Sequence, residues 1–230
     1  MREFLIALGV FLAAHMLPAV PRIRGALTGL LGARTYLALY SALSLALLTW
    51  VVLAAQRADT IVLWEPAPWQ RWVPLVLMPF AIVLVVAGLT QHNPLSVTLR
   101  SGSADAPPGS IVAVTRHPVL WGFLLWALAH IPPNGDLVAL ILFGGMALLA
   151  GAGMRLVDAR TRRRVGAERW AALAATTSIL PFSAVIARRT RLRVDRPLAI
   201  ATIVAVALYL WLILSGHEWL MGIDPLIGLR

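Results

Sequence analysis

The chain has 230 residues, of which 60% are hydrophobic and 13% charged, and its mean hydropathy is +0.81; soluble domains carry about 25% charged residues, so this is a membrane protein. It has no cysteine, and all 20 basic residues are arginine, which excludes disulfides, thiolate ligands, cysteine nucleophiles and side-chain Schiff bases. The net charge of +10 belongs to arginine-rich loops and not to a nucleic-acid binder, because no base-stacking aromatics are interleaved with the arginines.

A spanning helix needs about 20 apolar residues, with about 17 as the lower limit. Six segments are predicted to span, at 3–20, 35–55, 73–90, 118–131, 136–157 and 197–215, the fourth being short. The first resembles a secretory signal in having Arg2 ahead of an apolar run. However, His15 lies inside that run, and Pro18 and Pro21 follow without a small-x-small cleavage site, so the segment is expected to be retained. Arg22, Arg24 and Arg34 occupy the loop after it. The loop 56–72 balances Arg57 and Arg71 against Asp59 and Glu65. Its Trp64, Trp69 and Trp72, with Trp211 and Trp219, suit a membrane-interface belt.

His92, in Gln91-His92-Asn93-Pro94, reads as a solvated helix cap, and Ser101 to Gly109 reads as a flexible loop. The fourth helix opens on Arg116-His117-Pro118, where proline suits the first turn, and His130 sits one turn before Asn134-Gly135-Asp136. Eleven arginines then lie between Arg155 and Arg196 against Asp158, Glu168 and Asp195. Within that stretch, Trp170 to Phe182 is too short and too rich in Thr and Ser to span, and is expected to lie in the interface with its arginines towards lipid phosphates. His217 sits at the boundary beyond the last helix. Excess arginine marks cytoplasmic loops, so the 158–196 loop, the 91–116 loop and the loop after the first helix are expected inside. Both termini then face outward. The architecture expected is an all-α polytopic transmembrane helix bundle with an interfacial basic segment, forming one domain over 1–230.

Ionisable groups at membrane depth cost roughly 2.5–3.5 kcal/mol on insertion scales and are read as functional by default. His15, His117, His130 and His217, with Arg116, are therefore the candidate cofactor-binding residues. With no cysteine and few carboxylates within the helices, haem held by imidazole is the metal centre this composition permits most readily. A zinc site would want a third or fourth ligand nearby. At 1.5 Å per residue, depth pairs His15 with His117 and His130 with His217. A scaffold whose histidines only join helices is the alternative.

His15, Tyr40-Ser41-Ala42-Leu43-Ser44, Asn93-Pro94, Arg116-His117-Pro118, Trp126-Ala127-Leu128-Ala129-His130, Asn134-Gly135-Asp136 and Gly216-His217 together resemble the NnrU family of bacterial membrane proteins, along essentially the whole chain. The resemblance implies a bacterial inner-membrane location and a link to denitrification, through expression or assembly of nitrite and nitric oxide reductases. The family is in turn similar to 15-cis-zeta-carotene isomerase, a haem b membrane enzyme. This implies haem b on the axial ligands His15 and His130, with Arg116 and His117 towards ligand carboxylates, and a polyene as a hydrophobic partner. The isomerase has a cysteine where Ala127 stands here, so a thiolate switch has no counterpart. Arg116-His117-Pro118 with Gly122, Gly166 to Trp170 and Leu180-Pro181 is also similar to the isoprenylcysteine carboxyl methyltransferases. That similarity implies S-adenosylmethionine at the cytoplasmic face, held by Arg116, His117 and Glu168. No catalytic residue is assigned.

Overall fold

A chain that must sit in lipid has to satisfy its backbone polar groups within each segment, and helices do this. The computed structural model describes residues 1–16, 21–100, 106–227, and these are helical apart from turns, one 3₁₀ turn and an isolated β-bridge. The helices are α1 (Arg2–Met16), α2 (Pro21–Leu31), α3 (Ala33–Gln56), α4 (Pro68–Thr90), α5 (Pro118–Asn134), α6 (Leu137–Val165), α7 (Ala167–Ala175), α8 (Ser183–Ile186), α9 (Arg196–Trp211) and α10 (His217–Met221). Among the described residues four helical stretches are long and apolar enough to cross a membrane: Ala33–Gln56, Pro68–Thr90, Leu137–Val165 and Arg196–Met221.

These correspond to four of the six expected spans, those at 35–55, 73–90, 136–157 and 197–215. α5 has 17 residues, about 25 Å at 1.5 Å per residue, against a hydrocarbon core of about 30 Å. α1 has 15 described residues, and the end of the expected first span, residues 17–20, lies outside the described residues, as do 101–105 of the expected loop.

The chain divides into two compact units. The first comprises Met1–Glu65 and Asn134–Gly145. In it α1 packs on α3 through Phe4, Ala7, Leu8 and Phe11, with Val51 and Ala54 buried on α3. Trp50 Nε1 donates to Glu3 Oε1 at 3.2 Å. The Asn134-Gly135-Asp136 motif runs from the last residue of α5 to the residue before α6. Gly135 has φ +65°, and a Cβ there would meet the Trp64 carbonyl at 2.5 Å, so the close approach requires glycine. Its own carbonyl accepts from the Leu63 and Trp64 N–H groups at 2.8 and 3.1 Å, and Asp136 Oδ1 accepts the Ala139 N–H at 2.8 Å, capping the helix.

The second unit comprises Pro66–Pro133 and Met146–Arg230. α4 packs along α9, and Leu84 and Ala87 share a core with Ile111, Val112, Val114, Leu198 and Ala201. Pro79 lies inside α4 and has no N–H for the Leu75 carbonyl four residues earlier. Tyr209 on α9 donates its hydroxyl to that carbonyl at 2.8 Å, repairing the helix from outside as an apolar setting demands. Asp195 caps α9 by accepting the Leu198 N–H at 2.9 Å.

α5 approaches α4 closely enough that a Cβ on Gly122 would meet the Ala81 carbonyl at 2.7 Å and Val85 Cγ2 at 2.5 Å. A backbone oxygen cannot move aside as a side-chain tip can. Gly122→Ala is therefore expected to destabilise by about 1–3 kcal/mol through overpacking, whereas Gly144→Ala, with nothing within 4 Å of its Cβ, should not lower stability. Thermal unfolding in detergent measures both, and equal melting temperatures for the two variants would sink this account of the α4–α5 contact.

Candidate functional site

The second unit gathers its polar side chains around Arg116, between the 3₁₀ turn Ser110–Ala113 and the first residue of α5. Main-chain bonds fix this short segment. The Arg116 N–H donates to the Ser178 carbonyl at 2.8 Å, and Asn93 Nδ2 donates to the Arg116 carbonyl at 3.0 Å. Asn93 Oδ1 in turn accepts the Leu95 N–H at 3.0 Å; the Asn93-Pro94 turn is thereby a clamp. Thr115 donates its hydroxyl to the Ile179 carbonyl at 2.8 Å, and Trp121 Nε1 donates to the same oxygen at 2.7 Å.

Two ionisable side chains are buried here. His117 is fully buried and Arg116 nearly so. His117 Nδ1 lies 2.8 Å from Ser96 Oγ, and Nε2 lies 3.1 Å from Asp158 Oδ1. Arg116 Nη1 is 3.3 Å from Asp158 Oδ2. Neither approach to the carboxylate is aligned as a hydrogen bond, and His117 Nε2, Arg116 Nη1 and Asp158 Oδ1 are left without one. These are Coulombic contacts in a poorly solvated place, where low screening strengthens them. Burial lowers the Arg116 pKa from its ordinary value; Asp158 opposes this, and Arg189 adds to it.

Trp170 on α7 completes the cluster. The Arg116 guanidinium lies 5.3 Å from its ring centroid and that of Arg162 5.8 Å, both within cation–π range. The stretch Trp170 to Phe182 is therefore more than a segment lying on lipid. Its Ser178 and Ile179 carbonyls hold Arg116, Thr115 and Trp121, and Arg189 folds back to donate to the Ala175 and Thr177 carbonyls, each at 3.0 Å. His92 is also not a solvated cap, since both its ring nitrogens are buried without a partner.

The other expected site residues lie elsewhere. His15, on α1 in the first unit, donates Nδ1–H to the Phe11 carbonyl at 2.8 Å, and its ring is 4.0 Å from Phe11 and 5.9 Å from Tyr40. His130 on α5 donates Nδ1–H to the Trp126 carbonyl at 2.7 Å. His217 donates Nδ1–H to the Ile223 carbonyl at 2.8 Å, just after a π-turn at Leu212–Gly216. His130 and His217 share the second unit. Glu168 is exposed on α7.

Sequence reasoning missed Ser96 and Gln91 and gave Asp158 and Trp170 no place in the site. The signal for Asp158 was available. It is the one acid among the arginines that end α6, and Arg116 needed an anion.

Removing one partner of a buried ion pair costs about 3–5 kcal/mol, because the other charge stays buried and unpaired. Asp158→Ala is expected to destabilise by that order, and Arg116→Met with Asp158→Leu by clearly less. Thermal unfolding of the single and double variants checks this. A double variant as unstable as Asp158→Ala would show that the pair is not the source of the loss.

No curated protein and no solved structure matches the chain. The family model described as NnrU protein matches residues 3–225, nearly the whole length, and on that match the protein belongs to the NnrU family.

Proposed function

We propose that this NnrU-family membrane protein binds haem b through imidazole and serves nitrogen-oxide respiration as a redox or assembly factor for the nitrite and nitric oxide reductases. The observation that carries the reading is the shared tether of three histidines. His15, His130 and His217 each spend Nδ1–H on a backbone carbonyl, which sets the tautomer and puts the lone pair on Nε2. Iron-ligating histidines are held in this way, because the second nitrogen orients the ring and raises its basicity.

The donor set fits haem better than a bare ion. Among the described residues no three His, Cys, Asp or Glu side chains cluster for a metal. A porphyrin supplies four nitrogens itself and asks the protein for only one or two axial ligands. Bound haem would supply a one-electron redox centre. The chain's own part is to orient the imidazoles and to exclude water with the apolar faces of its helices. In this reading His130 would hold the iron together with His217, which lies in the same unit and just after a π-turn of the kind that recurs at functional sites. His15 is the ligand that the carotene isomerase resemblance implies in its place.

Protein purified from haem-replete cells in mild detergent is expected to show a sharp Soret band, with split α and β bands on reduction. His130→Ala should abolish the six-coordinate spectrum. Loss on His217→Ala with His15→Ala unchanged identifies His217 as the second ligand, and the reverse identifies His15. A colourless, monodisperse sample overturns the haem reading.

A further inference from the structure

Buried side-chain polar atoms in native proteins nearly always have partners, and each exception calls for an explanation such as a missing ligand. Among the described residues the exceptions are Gln91 Nε2, both nitrogens of His92, Arg116 Nε and Nη1, His117 Nε2, Asp158 Oδ1 and Trp170 Nε1. Five of these atoms, on Arg116, His117, Asp158 and Trp170, belong to one cluster, to which Asn93 joins the 91–96 stretch.

The imbalance has a sign. Arg116 Nε and Nη1, Trp170 Nε1 and Gln91 Nε2 can only donate, and Asp158 Oδ1 is the one group among these atoms that can only accept. The charges lean the same way. The guanidiniums of Arg116 and Arg162 both lie over Trp170, Arg189 is close enough to repel Arg116, and Asp158 is the single acid paired with Arg116. α5 begins two residues after Arg116, so the positive end of its dipole lies beside the cluster. A buried site with donors in surplus and a positive balance lacks oxygen lone pairs carrying negative charge.

We propose that the cluster of Arg116, His117, Asp158 and Trp170 is a binding site for an oxyanion group, a carboxylate or a phosphate, carried by a small solute or by a lipid headgroup. Arg116 and the Trp170 N–H bind the oxygens, while Asp158 and Ser96 hold His117 in place beside them. The site stands apart from the haem reading, and its test uses haem-free protein.

The full chain is placed in nanodiscs of zwitterionic phosphatidylcholine, inorganic phosphate and, separately, acetate are titrated in, and thermal unfolding is followed. A parallel set replaces part of the lipid with phosphatidylglycerol and adds no solute. Either probe, or the anionic lipid, is expected to raise the melting temperature saturably. Arg116→Gln should weaken that response roughly tenfold or more, as expected for loss of a charge-assisted bond, and Arg116→Lys should weaken it less. A response to solute identifies a soluble ligand, and one confined to phosphatidylglycerol identifies a headgroup. No response in either arm overturns the proposal, as does a response that Arg116→Gln leaves unchanged while the surface arginines remain. If Arg116→Gln does not fold, Trp170→Phe, which removes only the indole N–H and part of the ring, decides. A several-fold weaker response supports the site, and an unchanged one overturns it.

Discussion

A guanidinium taken out of water is the constraint around which the second unit is arranged. Desolvating such an ion costs several kcal/mol even after relaxation, so a fold that buries Arg116 has to supply compensation from several directions. Asp158 on α6 supplies charge, Trp170 on α7 supplies a π-face, and Ser178 and Asn93 hold the Arg116 main chain. These groups come from four separate stretches of the sequence. Each contact that makes the burial of Arg116 tolerable therefore also fixes the position of a helix or turn. A hydrophobic core alone would not do this, because apolar surfaces slide past each other in lipid with little loss.

The same reasoning runs through the main chain. In water a proline in mid-helix leaves a carbonyl that the solvent can satisfy, but an apolar helix has no such solvent. The freed Leu75 carbonyl in α4 is taken by the Tyr209 hydroxyl of α9, and in that way a local defect specifies the long α4–α9 contact. Thr90, Thr98 and Thr202 likewise turn their hydroxyls to nearby carbonyls. Polar side chains in this chain mostly serve its own backbone, which is why the orphaned atoms around Arg116 stand out.

How much of this was legible follows from the range of each interaction. Helical class and the approximate positions of α3, α4, α6 and α9 can be read from runs of apolar residues, since that signal is local. Arg116 and His117 were visible because they interrupt such a run. Asp158 stands out as the one acid among the arginines that end α6, but its pairing with Arg116 is a long-range contact that only the fold supplies. Trp170 fitted the interfacial pattern equally well, and only the two guanidiniums over its ring assign it otherwise. His92 was misread because Asn-Pro beside it signals an exposed turn, and here that turn is an internal clamp. α5 reads as a span by hydropathy, but its 17 residues fall short of the hydrocarbon thickness.

Histidine chemistry separates the two candidate regions of the second unit. His117 is fully buried, with Ser96 Oγ beside Nδ1 and the Asp158 carboxylate beside Nε2, so iron could reach the ring only by displacing a contact that Arg116 also depends on. His130 and His217 each donate Nδ1–H to a backbone carbonyl, which makes Nε2 the basic nitrogen of the ring. The depth argument pairs these two residues of one unit, while its other pair, His15 with His117, would require His117 to give up a contact. The proposed imidazole ligation and oxyanion binding thus call on different residues for a physical reason. One needs a ring whose tautomer is set by a backbone bond, and the other needs donors fixed in place around a buried cation.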